Sequence, residues 1–137
     1  MLRRNFFGYE TEIDATATAQ WYLGAEEWGC ECGDCRNFLA HTRAGTLPRE
    51  VTAALDALQI PPAKATYVGQ LYEENDLHLY QFSYRIAGSI LSTPGNESSP
   101  CIGRCCHEPY PYGAPSFPEP HFDLEFYAKL PWKIEKI

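Results

Sequence analysis

The sequence lacks the long apolar segments that are typical of membrane and secreted proteins. No run approaches the ~20 apolar residues that a helix needs to span a bilayer. The opening residues, MLRRNFFGYE, do not contain the apolar core of roughly 7–15 residues that defines a signal peptide. We therefore expect a cytosolic (cytoplasmic) protein that does not bind membranes.

Positive charge is also scarce. The 137 residues include 11 basic and 18 acidic side chains, which gives a formal net charge of −7. No basic stripe offers the cation density that binding to a phosphate backbone requires, so we expect no nucleic-acid partner.

The sequence also has no glycine-rich phosphate loop, G-x-S-x-G elbow or H-E-x-x-H helix. A small-molecule partner, a protein partner and any oligomeric state remain open.

Six cysteines stand out against these absences. The length predicts one compact domain over residues 1–137. A chain of this size buries roughly two-thirds of its unfolded surface, so it needs neither disulfides nor a metal merely to fold. In the reducing cytosol, clustered cysteines favour metal binding or redox chemistry over disulfides.

The hydrophobic pattern predicts two helices. Asp34 is expected to cap a helix that ends at Gly45, and a second helix should run from about Pro48 to the Pro61-Pro62 pair. Four apolar residues of the second helix fall on one face, which predicts packing against a core. They are Val51, Ala54, Leu55 and Leu58.

The remaining pattern predicts strands. Residues 1–29 favour one or two short strands that end near Trp21, and residues 65–91 favour a hairpin with its turn at Glu73-Glu74-Asn75-Asp76. The last strand alternates strictly. Its buried face is predicted to be Phe122, Leu124, Phe126, Ala128 and Leu130, and its solvent face Asp123, Glu125, Tyr127 and Lys129.

The predicted fold class is therefore α+β: a mostly antiparallel sheet packed on two helices, with a long proline-rich loop, residues 92–120, before the last strand. Three aromatic residues of this loop are expected to fold back over the open face of the sheet, although they could instead form a binding surface. They are Tyr110, Tyr112 and Phe117.

The strongest chemical signal is Cys30-Glu31-Cys32-Gly33-Asp34-Cys35-Arg36, a C-x-C-x-x-C spacing at the start of the first helix. Unpaired amides and the positive dipole end of a helix stabilise thiolates, which bind zinc. Three thiolates are one ligand short of a closed tetrahedral zinc site. The candidates for a fourth ligand are Cys101, Cys105, Cys106, His107 and His41.

Other interpretations stay open. The cysteines could be inert buried thiols, or Cys32 and Cys35 could form a redox-active dithiol. A cysteine of the triplet could also act as a nucleophile with His41 or His107 as its base. The loop cysteines could form disulfides. His78 and His121 each start a predicted strand, where we expect a solvent-facing or a hydrogen-bonded histidine.

Two family resemblances arise at the triplet. The spacing of Cys30, Cys32, Cys35 and Arg36 is similar to one zinc site of the glutathione-dependent formaldehyde-activating family, which implies a zinc near a substrate thiol. That family's second zinc site is formed by a further C-x-C-G before the triplet and a C-x-x-C-G after it, and neither of these two segments is present here. The run CECGDCRNF, the Leu47-Pro48 helix and the closing LEFYAKLPW resemble a small family of bacterial proteins whose activity is not known.

The sequence thus predicts a binding or interaction domain with a structural zinc ion at Cys30, Cys32 and Cys35. The alternative is a small zinc- or thiol-dependent enzyme that acts on a sulfur-containing or carbonyl metabolite.

Overall fold

The fold is α+β, with three helices and a six-stranded, mostly antiparallel open sheet. The structure, a computed structural model, describes residues 1–94, 102–107 and 113–134. In chain order the elements are β1 (Leu2–Phe6), β2 (Tyr9–Ile13), α1 (Ala15–Gly24), α2 (Gly33–Ala44), α3 (Arg49–Ala57), β3 (Tyr67–Glu74), β4 (Leu77–Ser92), β5 (Gly103–Cys106) and β6 (His121–Pro131).

Strand β4 forms the centre of the sheet. It pairs along one edge with β6, which in turn pairs with β5. Its other edge is shared, because β3 pairs with residues 77–83 and β2 pairs with residues 88–92. Each described pairing is antiparallel, and the sheet order is β1-β2-β4-β6-β5 with β3 beside β4.

Helix α1 corrects the prediction of a strand near Trp21, and it raises the number of helices from two to three. Asp14 caps this helix, because its Oδ1 accepts from the backbone N–H of Ala17 at 3.0 Å. Thr18 and Tyr22, one turn apart, are its buried residues. Their strand propensity is therefore overridden by the cap and by burial.

The two predicted helices are confirmed. Helix α2 ends at Gly45, which adopts the left-handed conformation at φ 70°. Helix α3 has Pro48 as its N-cap. The predicted stripe faces the core, since Val51, Leu55 and Leu58 are at most 2% exposed.

The predicted hairpin is also confirmed, with a tighter turn. Glu73 and Glu74 extend β3, and only Asn75 and Asp76 connect it to β4. Both turn residues have positive φ, 52° and 65°. This conformation suits a two-residue hairpin turn and favours asparagine and aspartate.

The loop predicted before the last strand contains strand β5 and a core residue. Phe117 is buried and packs against Trp21, with ring centroids 4.9 Å apart. The predicted covering role is therefore confirmed for Phe117. Cys101, Tyr110 and Tyr112 lie outside the described residues.

The core lies between α2 and the central strands. Phe38 of α2 packs on Phe82 of β4 at a centroid distance of 4.9 Å, and Phe82 packs on Phe126 of β6 at 5.6 Å. These contacts fix helix α2 against the sheet. Among the described helices, none is both long and apolar enough to cross a membrane.

Candidate metal centre

Cys30, Cys32 and Cys35 converge at the start of helix α2. Their three sulfur atoms all lie within 4.8 Å of one another, which forms a cluster that could hold a metal ion. Cys30 and Cys32 are exposed, whereas Cys35 is 5% exposed. The convergence predicted from the C-x-C-x-x-C spacing is confirmed, and the binding of a metal stays a prediction.

The helix cap differs from the prediction. Cys32, and not Asp34, is the N-cap of α2, and its Sγ accepts from the backbone N–H of Cys35 at 3.4 Å. Asp34 lies in the first turn. There its negative carboxylate interacts favourably with the positive end of the helix dipole, although it does not cap the helix.

Burial and one aromatic residue define the surroundings of Cys35. The indole Nε1–H of Trp28 donates to Cys35 Sγ at 3.1 Å. Burial raises the pKa of Cys35 to about 12, although the hydrogen bond from Trp28 opposes this rise. Without a metal, Cys35 is therefore a neutral thiol near neutral pH.

Cys30 has the opposite electrostatics. A hydrogen bond with the backbone of Cys32 lowers its pKa, and side-chain hydrogen bonds with the Cys32 and Cys35 thiols lower it further. The cluster therefore pairs an exposed thiol that ionises readily with a buried thiol that resists ionisation.

Hydrogen bonds from Tyr80 of β4 and from the end of β6 hold the start of α2 in place. Tyr80 donates its hydroxyl to the backbone oxygen of Asp34 at 2.7 Å and accepts from Asn37 Nδ2 at 3.2 Å. Asn37 Nδ2 also donates to the backbone oxygen of Pro131 at 3.2 Å, and Asn37 Oδ1 accepts from the Lys133 amide at 2.6 Å. These bonds hold the turn that carries the cysteine cluster on a rigid base.

Gly33 completes this base because a side chain would not fit there comfortably. A Cβ atom at Gly33 would lie 3.3 Å from the ring of Trp132. Trp132 in turn packs against the imidazole of His78, with ring centroids 4.9 Å apart. A side chain at Gly33 would therefore need the ring of Trp132 to shift by a few tenths of an ångström.

His41, one candidate for a fourth ligand, is already engaged. Its Nδ1 lies 2.6 Å from Thr46 Oγ1, and its Nε2 lies 2.8 Å from the backbone oxygen of Pro131. Both ring nitrogens therefore serve a structural network, and His41 is not part of the sulfur cluster.

Three of the loop candidates, Cys105, Cys106 and His107, do not join the cluster either. Cys105 is a buried free thiol on β5, and His107 is exposed just beyond that strand. Cys106 is half-buried and pairs with Asp123 in the sheet. In the ranges 1–94, 102–107 and 113–134, the cluster contains the three cysteines and no fourth ligand atom.

His78 and His121 are hydrogen-bonded at strand starts, as predicted. With the amide of Gln70 oriented to suit both neighbours, its oxygen accepts from His78 Nδ1 at 3.2 Å and its nitrogen donates to Asp34 Oδ2 at 2.8 Å. His121 Nδ1 lies 3.1 Å from the backbone oxygen of Pro118. The His78 contact links β4 through β3 to the first turn of α2.

Asp123 and Glu125 correct the prediction of a solvated face on the last strand. Each is 1% exposed. Asp123 Oδ1 lies 3.1 Å from Nε of the buried Arg85, and Glu125 Oε1 lies 2.9 Å from Nε of Arg104. Tyr127 also donates its hydroxyl to Glu125. The two arginines lie on β4 and β5, on either side of β6, so spacing along the sequence does not reveal these pairs.

One cleft of the molecule is not lined by any of the cysteines in the cluster. It has a volume of about 560 Å³ and is lined in part by Trp21, Glu26 and Lys64. The ammonium of Lys64 donates to the backbone oxygen of Tyr22 at 2.7 Å, so it satisfies a carbonyl in the last turn of α1. This contact gives Lys64 a structural role.

Comparison with known proteins adds no relative. No family model, curated protein or solved structure matches the chain. The two resemblances carried by the cysteine triplet therefore stay predictions, and the functional argument rests on the geometry of the cluster.

Proposed function

We propose that this protein is a zinc-binding domain of the binding or interaction class, and that Cys30, Cys32 and Cys35 supply the ligands. The observation that carries the proposal is the convergence of three sulfurs within 4.8 Å. Thiolate sulfur is the donor that zinc prefers in structural sites.

The donor set fits zinc with a small adjustment. Two thiolates on one tetrahedral zinc, each at a Zn–S distance of about 2.3 Å, are about 3.8 Å apart. Sulfurs that start within 4.8 Å of one another therefore need to approach by at most about 1 Å. Cys30 and Cys32 are exposed and lie outside helix α2, so they can make this movement.

The bound ion would join the irregular segment at Cys30 and Cys32 to the rigid start of α2. Apart from Cys35, the hydrophobic core is built from residues outside the cluster, which is why the metal would order this turn and not the whole fold. Three cysteines leave one coordination position for water or an external ligand. Thiol ligands suit a reducing compartment such as the cytosol.

Metal analysis of protein purified without chelator tests the proposal. We expect about one zinc per chain, no zinc in Cys32→Ser, and unchanged zinc in Cys105→Ala, which removes a cysteine outside the cluster. Absence of zinc from the unaltered protein, even after incubation with zinc salt, would falsify the proposal.

The second candidate is a small zinc- or thiol-dependent enzyme that acts on a sulfur-containing or carbonyl metabolite. The exposure and lowered pKa of Cys30 favour it. This candidate predicts that iodoacetamide labels Cys30 of the metal-free protein faster than it labels a model thiol. Labelling at or below the rate of the model thiol counts against the enzyme.

A further inference from the structure

The C-x-x-C half of the cluster has the geometry of a disulfide site. Cys32 is the N-cap of α2 and Cys35 is its third residue. Helix geometry places two such Cα atoms about 5 Å apart. This separation lies inside the range of roughly 4.4–6.8 Å found across disulfides.

The two thiols also differ in the way that a reversible disulfide requires. Cys32 is exposed, and its Sγ accepts from the backbone N–H of Cys35 at 3.4 Å. Cys35 is buried next to it and is fixed by the indole of Trp28. Cys32 can therefore meet an oxidant in solution, and Cys35 is positioned to resolve the product.

We propose that Cys32 and Cys35 form a reversible disulfide when a hydroperoxide oxidises the metal-free protein, and that this disulfide and a bound metal exclude each other. Both states use the same two sulfurs, so they cannot coexist. Mutual exclusion rests on the proposed zinc binding, whereas disulfide formation in the metal-free protein does not.

The oxidation balances in two steps. The thiolate of Cys32 attacks the outer oxygen of the hydroperoxide, the O–O bond breaks, and one proton is taken up to give an alcohol and the sulfenic acid of Cys32. The Cys35 sulfur then forms the S–S bond and the S–OH bond of Cys32 breaks, which releases water with the thiol proton of Cys35. A thiol reductant reverses the bond by exchange.

Oxidation that begins at Cys30 also leads to the Cys32–Cys35 disulfide. A sulfenic acid formed first at Cys30 condenses with Cys32, and Cys35 then attacks the Cys32 sulfur of that disulfide. This exchange forms the Cys32–Cys35 bond and releases the Cys30 thiolate.

Peptide mapping tests disulfide formation. Metal-free protein is treated with hydrogen peroxide, alkylated with iodoacetamide and digested with trypsin, which gives one peptide, residues 5–36, that holds all three cysteines. We expect this peptide to lose two hydrogen atoms and to carry one label, on Cys30. A label on Cys32 or Cys35, three labels, or oxidation only to sulfinic acid overturns the proposal.

Variants separate the roles. Cys32→Ser should lower the yield of disulfide in this peptide at least tenfold. Cys35→Ser should abolish the Cys32–Cys35 bond and leave at most the Cys30–Cys32 disulfide that Cys35 would have resolved. Cys30→Ser and Cys105→Ala should retain the Cys32–Cys35 disulfide. Cys32 is exposed, so its variant provides the test even if replacement of the buried Cys35 disturbs folding. Loss of the disulfide in Cys30→Ser contradicts the proposed pairing.

Zinc release tests mutual exclusion. In zinc-loaded protein, we expect peroxide to release one zinc per disulfide formed, measured with a chromogenic chelator, and dithiothreitol with zinc to restore the loaded state. Disulfide formation with zinc retained overturns mutual exclusion. A protein that binds no zinc overturns the proposed function and mutual exclusion together, and the peptide map of the metal-free protein still decides the disulfide.

Discussion

Cys35 and Cys105 are equally hidden from solvent but have different neighbours. Their exposed fractions are 5% and 6%, and burial raises the pKa of each thiol to about 12. Cys35 lies within 4.8 Å of two other sulfurs and accepts from Trp28. Cys105 lies on β5 opposite Leu124.

The difference comes from local backbone geometry. A helix N-cap and the third helical residue point to the same place, so Cys32 and Cys35 meet. Adjacent residues of a strand point to opposite faces, so Cys105 and Cys106 separate despite being neighbours in sequence. Burial and a raised pKa therefore do not identify a metal site, and convergent donor atoms do.

Removing each buried thiol in turn tests whether Cys35 binds zinc and Cys105 does not. Cys35→Ala should weaken zinc binding about a thousandfold, roughly 4 kcal/mol, because a structural zinc site shares its binding free energy among few ligands. Cys105→Ala should change the affinity less than about twofold. Competition with a chromophoric chelator measures both, and equal losses would contradict the assignment.

The free energy of unfolding at alkaline pH tests the raised pKa of the buried Cys105 thiol. Its folded-state pKa of about 12 lies above the ordinary value of 9.0, so the unfolded state loses the thiol proton first as pH rises. The stability contribution is complete below pH 9 and is lost progressively up to pH 12.

Between pH 8 and pH 11 we expect this loss to lower the free energy of unfolding by about 2–3 kcal/mol. Urea unfolding of metal-free protein measures it, with Cys105→Ala as the control that lacks this loss. An identical pH dependence of the two proteins would show that the Cys105 thiol does not titrate in this way.

Replacing Trp28 tests whether its hydrogen bond to Cys35 affects zinc binding. Trp28→Phe removes the N–H that donates to Cys35 Sγ and should weaken zinc binding about tenfold, since donors to a ligand atom tune metal affinity by about that amount. Trp21→Phe is the matched control, because the Trp21 indole donates to the backbone oxygen of Pro115. If both variants bind zinc like the unaltered protein, the indole is a packing residue only.

The smallest expected effect concerns Cys32 as a helix cap. Serine is a better N-cap than most residues, so Cys32→Ser should raise the free energy of unfolding of metal-free protein by about 0.5 kcal/mol. Cys30→Ser, outside the helix, should leave it unchanged. Unfolding in urea with chelator present checks this, and a loss of stability in Cys32→Ser would mean that the thiol itself holds the turn.

Local features of the fold and of the site could be predicted from the sequence. The spacing of Cys30, Cys32 and Cys35 fixes their convergence, because all three lie within one turn of a helix start. The alternation in the last strand gave the buried apolar face, and the two turn residues Asn75 and Asp76 lie inside the predicted hairpin turn.

Features that depend on distant partners could not be predicted in this way. Asp123 and Glu125 are buried because Arg85 and Arg104 pair with them, and these arginines are 38 and 21 residues away in sequence. His41 is bound by the backbone of Pro131, 90 residues away. Residues 15–24 mix strand formers with three alanines, and the Asp14 cap and the contacts of Tyr22 with β4 then favour the helix.

The buried ion pair between Arg85 and Asp123 also favours the correct alignment of β4 and β6 during folding. Arg85 lies directly across from Asp123, and a shift of β6 by one residue would place it opposite Phe122 or Leu124. Such a misaligned sheet would leave buried charges without counterions, at a cost of several kcal/mol. The carboxylates that look out of place in the interior thereby select one alignment of the central strands over its nearest competitors.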